Sequence, residues 1–165
     1  MNEPTSPIQI ADFRLVWLAR LCSVLATSGM VVIIGYQLYD VARSPQYGMS
    51  IAAASFQLGL LGLAQFVPLF FLTPVAGLVA DRFDRRKIAA LALGIDMVIA
   101  VTIAAATAKG LVTLPLLYVL AMAHGSARVF AGPATSSIVP NIVPAPLMPR
   151  AIALSSIAWQ VGSVA

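Results

Sequence analysis

The side chains best placed to do chemistry in this sequence are ionisable groups set inside long apolar runs: Asp96, His124 and Arg128. A charge near the centre of a lipid bilayer costs at least about 2.5–3.5 kcal/mol, so each is a functional candidate by default. Asp96 lies nine residues after Lys87, about 14 Å along a helix, and Arg128 lies twelve residues before Pro140, about 18 Å from that end. These depths make an Asp96–Arg128 pair between two consecutive antiparallel helices geometrically possible. An acid and a cation that share a buried site and change distance can take up and release a proton, which is coupling in outline. The alternative is a static ion pair that locks two helices. His124, Arg128 and Gly132 recur at i, i+4 and i+8, so they share one helix face directed at a polar cavity. His124 either joins the proton path or is satisfied by a neighbouring carbonyl.

A second concentration of charge has a different character. Thirty-seven residues from Ser44 to Ala80 carry no charged side chain, and then six charges occupy the seven positions from Asp81 to Lys87. A membrane anchor needs only the basic members of this cluster, so Asp81 and Asp84 ask for a further role. Gly77 would let another helix approach closely. Asp81, on the same face, could cap a helix amino terminus, and Arg82 and Arg85 could reach carboxylates or exposed carbonyls at neighbouring helix ends. With Arg86 and Lys87 the cluster reads as a latch between helix bundles.

The remaining polar residues in apolar surroundings are weaker candidates. Gln37, Gln57 and Gln65 either line a cavity or bond another helix. Ser155, Trp159 and Gly162 form a stripe on the last helix, where small residues favour packing over ligand contact. Arg20 is close enough to the start of its helix to reach the membrane surface. No nucleophile arrangement, metal-ligand spacing or phosphate-cradling glycine loop is present, so the sequence predicts neither an enzyme nor a bound cofactor or metal.

The elements that must position these groups follow from composition. Sixty per cent of the residues are hydrophobic, ten per cent are charged, and the mean hydropathy is +0.93. Apolar runs of this length fit helices crossing a bilayer of about 30 Å and are too long and unalternated for barrel strands. The net charge of +4 matters through its placement at span ends and does not indicate a nucleic-acid partner. The reading is an all-α polytopic membrane protein. Residues 1–12 form a cytoplasmic amino terminus, and residues 13–165 form a partial helical bundle with spans at 13–39, 49–80, 87–108, 111–139 and 149–165. Pro68 and Pro74 should bend the second span. The last helix is about 25 Å long and lacks a polar anchor, so the chain reads as the front part of a longer protein. With the amino terminus inside, Arg14, Arg82, Arg85, Arg86, Lys87 and Arg150 lie on the cytoplasmic side, against Arg43 and Lys109 outside.

Gly77, Asp81, Arg82, Arg85 and Arg86 resemble the signature of the major facilitator superfamily between its second and third spans. Asp84 stands where the general pattern has glycine, which puts the tight turn there in doubt. Arg128 with Gly132 is similar to the superfamily's span-four pattern, linked in relatives to proton transfer. The stretches "FRLVWLARLCS", "GLVADRFDRRK" and "PNIVPAPLMPRAIALSS" resemble the bacterial exporter branch that includes the enterobactin exporter and multidrug-type relatives. "GSVA" from Gly162 resembles the start of the antiporter pattern of span five. The resemblance implies a major facilitator fold, of which this chain holds the first four transmembrane helices and most of a fifth. It also implies a proton-coupled exporter of a small amphipathic molecule, drug-like or siderophore-like, in the bacterial inner membrane. Its partners would be the lipid bilayer, protons, a small-molecule substrate and further carboxy-terminal helices. A proton-symport uptake carrier and a non-transporting membrane scaffold are the rival readings.

Overall fold

The computed structural model describes residues 5–136 and 139–164, and the side chains of all of these except 80, 85, 131–136, 141 and 164. Among the described residues the chain forms five α-helices: α1 Ala11–Arg43, α2 Ile51–Arg82, α3 Arg85–Ala108, α4 Leu114–Ser136 and α5 Met148–Val164. By length and composition, α1, the Ile51–Val79 part of α2 and the Arg86–Ala108 part of α3 can each cross a membrane. Residues Leu114–Phe130 of α4 form a shorter apolar stretch. Pro68 and Pro74 both lie inside α2, where each removes one backbone donor from the helical ladder.

Helix ends follow local chemistry. The run expected to stop at Tyr39 continues to Arg43, and Ser44 leaves the helix with its Oγ donating to the Val41 carbonyl at 2.6 Å. Gly110 ends α3 in the left-handed conformation, φ +64°. Its N–H reaches the Thr107 carbonyl while that of Leu111 reaches Ala106, which satisfies carbonyls the helix leaves unpaired. Only Phe83 and Asp84 separate α2 from α3. At its far end α4 is described as far as Ser136.

Helix α4 packs mainly on α2 and α3, while α1 packs mainly on α5 and secondarily on α2 and α4. The α2–α4 pairing is echoed by the α5–α1 pairing, as an inverted three-helix repeat would produce. Close approach is made by glycine in both. A Cβ on Gly125 of α4 would fall 2.7 Å from the Gln65 carbonyl oxygen of α2, and one on Gly162 of α5 would fall 2.9 Å from the Val24 side chain of α1. Helices without a hydrophobic drive between them associate through such small-residue contacts. Ala151, Ser155, Ala158 and Gly162 supply the buried seam of α5.

The larger core joins Ile34 and Leu38 of α1, Ala54 and Leu61 of α2, Ile99 and Ile103 of α3, and Leu117 and Ala121 of α4. A smaller one gathers Phe13, Val139, Val143 and Ala151 at the other end. Outward faces are apolar as well: Phe56, Phe66, Phe70 and Phe71 of α2 are all more than half exposed.

Candidate functional site

Buried positions on α3 recur as Ala89, Ala92, Ile99 and Ile103, a three-four spacing that defines the seam facing α4. Asp96 falls in this series between Ala92 and Ile99. Leu117, Ala121 and His124 are the wholly buried residues of α4, and the shared core of Ile99, Ile103, Leu117 and Ala121 sets the register between the two helices. That register brings Asp96 to His124, with Nδ1 and Oδ1 2.8 Å apart.

The pair is asymmetric. The His124 side chain has no exposed surface and the Asp96 side chain retains 20%, so the carboxyl is the member that meets the outside. An ionised carboxylate only accepts, so its partner Nδ1 carries the proton, an assignment made from the donor and acceptor inventory. The other ring nitrogen, Nε2, is buried with no hydrogen-bond partner among the described residues. With Nδ1 protonated, the neutral imidazole leaves Nε2 as a bare lone pair, and any further proton on the ring must go there.

Asp96 therefore does not meet Arg128, as the sequence had suggested. Among the described residues the only salt bridge joins Asp96 to His124, and Arg128 is exposed. The cause is the register between the helices: Ile99 and Ile103 of α3 pack with Leu117 and Ala121 of α4, which sets His124 opposite Asp96 and leaves Arg128 one turn further along α4, exposed. Gly132 also lies within α4, and its surroundings fall outside the described residues.

The glutamines divide among different contacts. The Tyr118 hydroxyl of α4 donates to Gln57 of α2, reaching its carbonyl at 3.1 Å and its side-chain oxygen as well. Gln37 of α1 donates to the Thr107 hydroxyl of α3 at 2.7 Å, and its Oε1 is buried without a partner among the described residues. It borders a cavity of about 410 Å³ otherwise lined mainly by apolar side chains of α1 and α3. Gln65 contributes backbone, the surface against which Gly125 rests. Trp159 is 56% exposed and departs from the Ser155–Gly162 stripe expected on α5, since Ala158 takes the buried position beside them.

In the charged loop, Asp84 is the helix cap. Its carboxylate accepts from the Arg86 N–H at 2.9 Å, and its carbonyl accepts from Ile88. Asp81 lies in the last turn of α2 and is exposed, and Arg82, Arg86 and Lys87 are exposed as well. Arg85 opens α3, and its side chain lies outside the described residues. No atom of the described residues lies within 4 Å of a Cβ built on Gly77, so among them the close helix contact expected there is not made. Because Asp84 supplies the cap, the turn forms without glycine at that position. Replacing it with Ala should cost about 1 kcal/mol, within the usual 0.5–2 for a cap, with Asn restoring most of it. Thermal unfolding of the three proteins in one detergent checks this ordering.

Sequence reasoning missed Gly125, Tyr118 and the cap at Asp84. Two had signals: Ala121 and Gly125 are small residues four apart, and Asp84 immediately precedes a helical run.

The model of the transmembrane secretion effector family, within the major facilitator superfamily, matches residues 2–164. The chain belongs to this family. No curated protein and no solved structure matches it. Membership makes the long apolar helices spans of a multi-pass membrane protein of transporter type. In this secretion effector homologue the Asp96–His124 pair is thus an acid and a base bonded to each other between two helices of a transporter bundle.

Proposed function

We propose that this chain belongs to a proton-coupled secondary transporter that exports a small amphipathic molecule, drug-like or siderophore-like, by alternating access. The observation that carries this reading is the 2.8 Å bond between Asp96 and His124 together with the unpartnered Nε2 behind it. Asp96, the partly exposed member, exchanges protons with the water-filled side. A second proton on the imidazole must sit on Nε2, where it becomes a buried donor without an acceptor. An unmet buried donor costs about 1–3 kcal/mol, more when charged. Protonation therefore disfavours this arrangement of α3 and α4 relative to any other in which Nε2–H finds an acceptor. A bias of this size shifts a two-state equilibrium by about five- to 150-fold. Arg128, one turn from His124, supplies the positive charge that draws Asp96 away in the alternative state, and Gly132 lets α4 approach its neighbour there.

The loop from Asp81 to Lys87 serves as the cytoplasmic latch in this scheme. Its exposed Asp81, Arg82, Arg86 and Lys87 and the open face at Gly77 suit contact with further helices of the same protein, outside α1–α5. The placement of basic residues favours an amino terminus in the cytoplasm, and the resemblance to bacterial exporters favours the inner membrane. Gln37 and Gln57 border the path for the substrate, whose identity depends on helices that complete the cavity.

The test is transport by the full-length protein in proteoliposomes with an imposed pH gradient, using a panel of amphipathic dyes and iron chelators. Export predicts that substrate moves against the proton flux. Movement with the protons would mean symport, and gradient-independent leakage would remove the coupling. Asp81→Ala should slow transport without changing insertion; unimpaired efflux would count against the latch.

A further inference from the structure

Away from the acid–base pair, an apolar cavity of about 230 Å³ opens where α1 and α5 begin, lined by Ile8, Phe13, Arg14, Trp17, Leu18 and Leu154. Its two walls repeat one arrangement. On α1, Leu18 lines the cavity with Arg14 one turn nearer the amino-terminal end; on α5, Leu154 does so with Arg150 one turn nearer that end. The two helix starts are side by side, because the Trp17 indole of α1 donates to the Leu154 carbonyl at 2.8 Å. Both arginines are exposed and both reach the segment before α1, Arg14 to the Ile8 carbonyl at 3.4 Å and Arg150 to the Thr5 carbonyl at 3.2 Å. Asp12 is the described acidic neighbour on this end of α1 and is exposed.

We propose that this cavity is a binding site for an anionic phospholipid. One acyl chain lies in the groove against Leu18, Trp17 and Leu154, and the phosphate sits at the membrane surface between Arg14 and Arg150. The volume is below the roughly 300–1,000 Å³ of drug-sized sites and suits a narrow chain. Apart from Arg14 and Trp17 the described lining is apolar, and a guanidinium matches phosphate oxygens bidentately. Trp17 at the apolar–polar boundary marks the interfacial depth. The site is separate from the Asp96–His124 pair and does not depend on coupling or direction of transport.

Tryptophan quenching reads it directly: Trp17 borders the groove, and the part of the quenching that Trp17→Phe removes is the signal of Trp17, whatever other tryptophans the protein holds. The protein is placed in phosphatidylcholine vesicles containing a minor fraction of lipid brominated on the acyl chain, either phosphatidylglycerol or phosphatidylcholine. Each arginine near an anionic lipid surface is worth a factor of about five in preference. Quenching by brominated phosphatidylglycerol should therefore correspond to at least about fivefold enrichment over its bulk fraction. Arg14→Gln with Arg150→Gln should remove the enrichment, and Lys at both positions should retain part of it. Arg86→Gln with Lys87→Gln, which removes the same charge from the start of α3, should leave it unchanged. Equal quenching by the two brominated lipids would overturn the proposal. So would enrichment that falls equally in both charge-removal variants, since that would be general attraction to the membrane surface.

Discussion

Asp96→Asn is expected to uncouple transport: accumulation driven by a pH gradient should fall at least about tenfold, while substrate exchange without a gradient continues. The amide keeps an oxygen that accepts from His124 Nδ1, so the bond at 2.8 Å and the packing of α3 on α4 survive. What is lost is the exchangeable proton at the partly exposed member of the pair. A tenfold change corresponds to about 1.4 kcal/mol, within the cost of about 1–3 kcal/mol set by an unmet buried donor. Asp96→Ala should behave differently. It leaves both nitrogens of a wholly buried imidazole without partners, and it should lower stability as well as activity. If the amide variant still accumulates substrate on a gradient, Asp96 is a structural partner of His124 and nothing more.

The second large effect concerns Gly125. A methyl group there would fall 2.7 Å from the Gln65 carbonyl oxygen and 3.2 Å from its Cα. Both are backbone of an α-helix, so relief requires moving α2 away from α4. Overpacking of this kind costs about 1–3 kcal/mol, and for a chain of this size each kcal/mol is about 2–4 °C in Tm. Gly125→Ala should therefore lower Tm by about 2–12 °C. The loss of activity should be larger, because His124 is the next residue and moves with the same turn. Gly59 and Gly62 of α2 are the internal controls: nothing lies within 4 Å of a Cβ on either, so Ala there should be neutral or mildly stabilising. A Gly125→Ala protein as stable as the Gly59→Ala protein would mean that the helices do not touch at this point.

What could be read from the sequence was set by how directly each feature depends on local chemistry. The helical membrane class follows from apolar runs and the price of an unpaired backbone group in lipid, and needs no knowledge of packing. Depth along a helix makes Arg128 a possible partner for Asp96, but depth is counted from helix ends, the least legible feature, and it does not separate Arg128 from His124, one turn away. His124 itself was legible as an ionisable group in an apolar helix, while its bond to Asp96 is a matter of register between α3 and α4. That register is fixed by Ile99, Ile103, Leu117 and Ala121, residues that look alike in sequence. Gly125 was hidden for a related reason: a glycine becomes informative only when the backbone opposite it, here Gln65, is known. Asp84 reads as a departure from a family pattern when aligned by motif and as a good amino-terminal cap when read by local chemistry, and the structure follows the chemistry.

¹⁵N-histidine NMR of the protein in lipid nanodiscs observes this ring, its signals being those that His124→Gln removes. At neutral pH the signals should belong to the tautomer protonated at Nδ1 with Nε2 bare. Asp96→Asn should alter the tautomer balance, because an amide can also donate to a bare Nδ1 where a carboxylate only accepts. Signals of the opposite tautomer, protonated at Nε2 with Nδ1 bare, or a tautomer balance indifferent to Asp96→Asn, would contradict the coupling scheme.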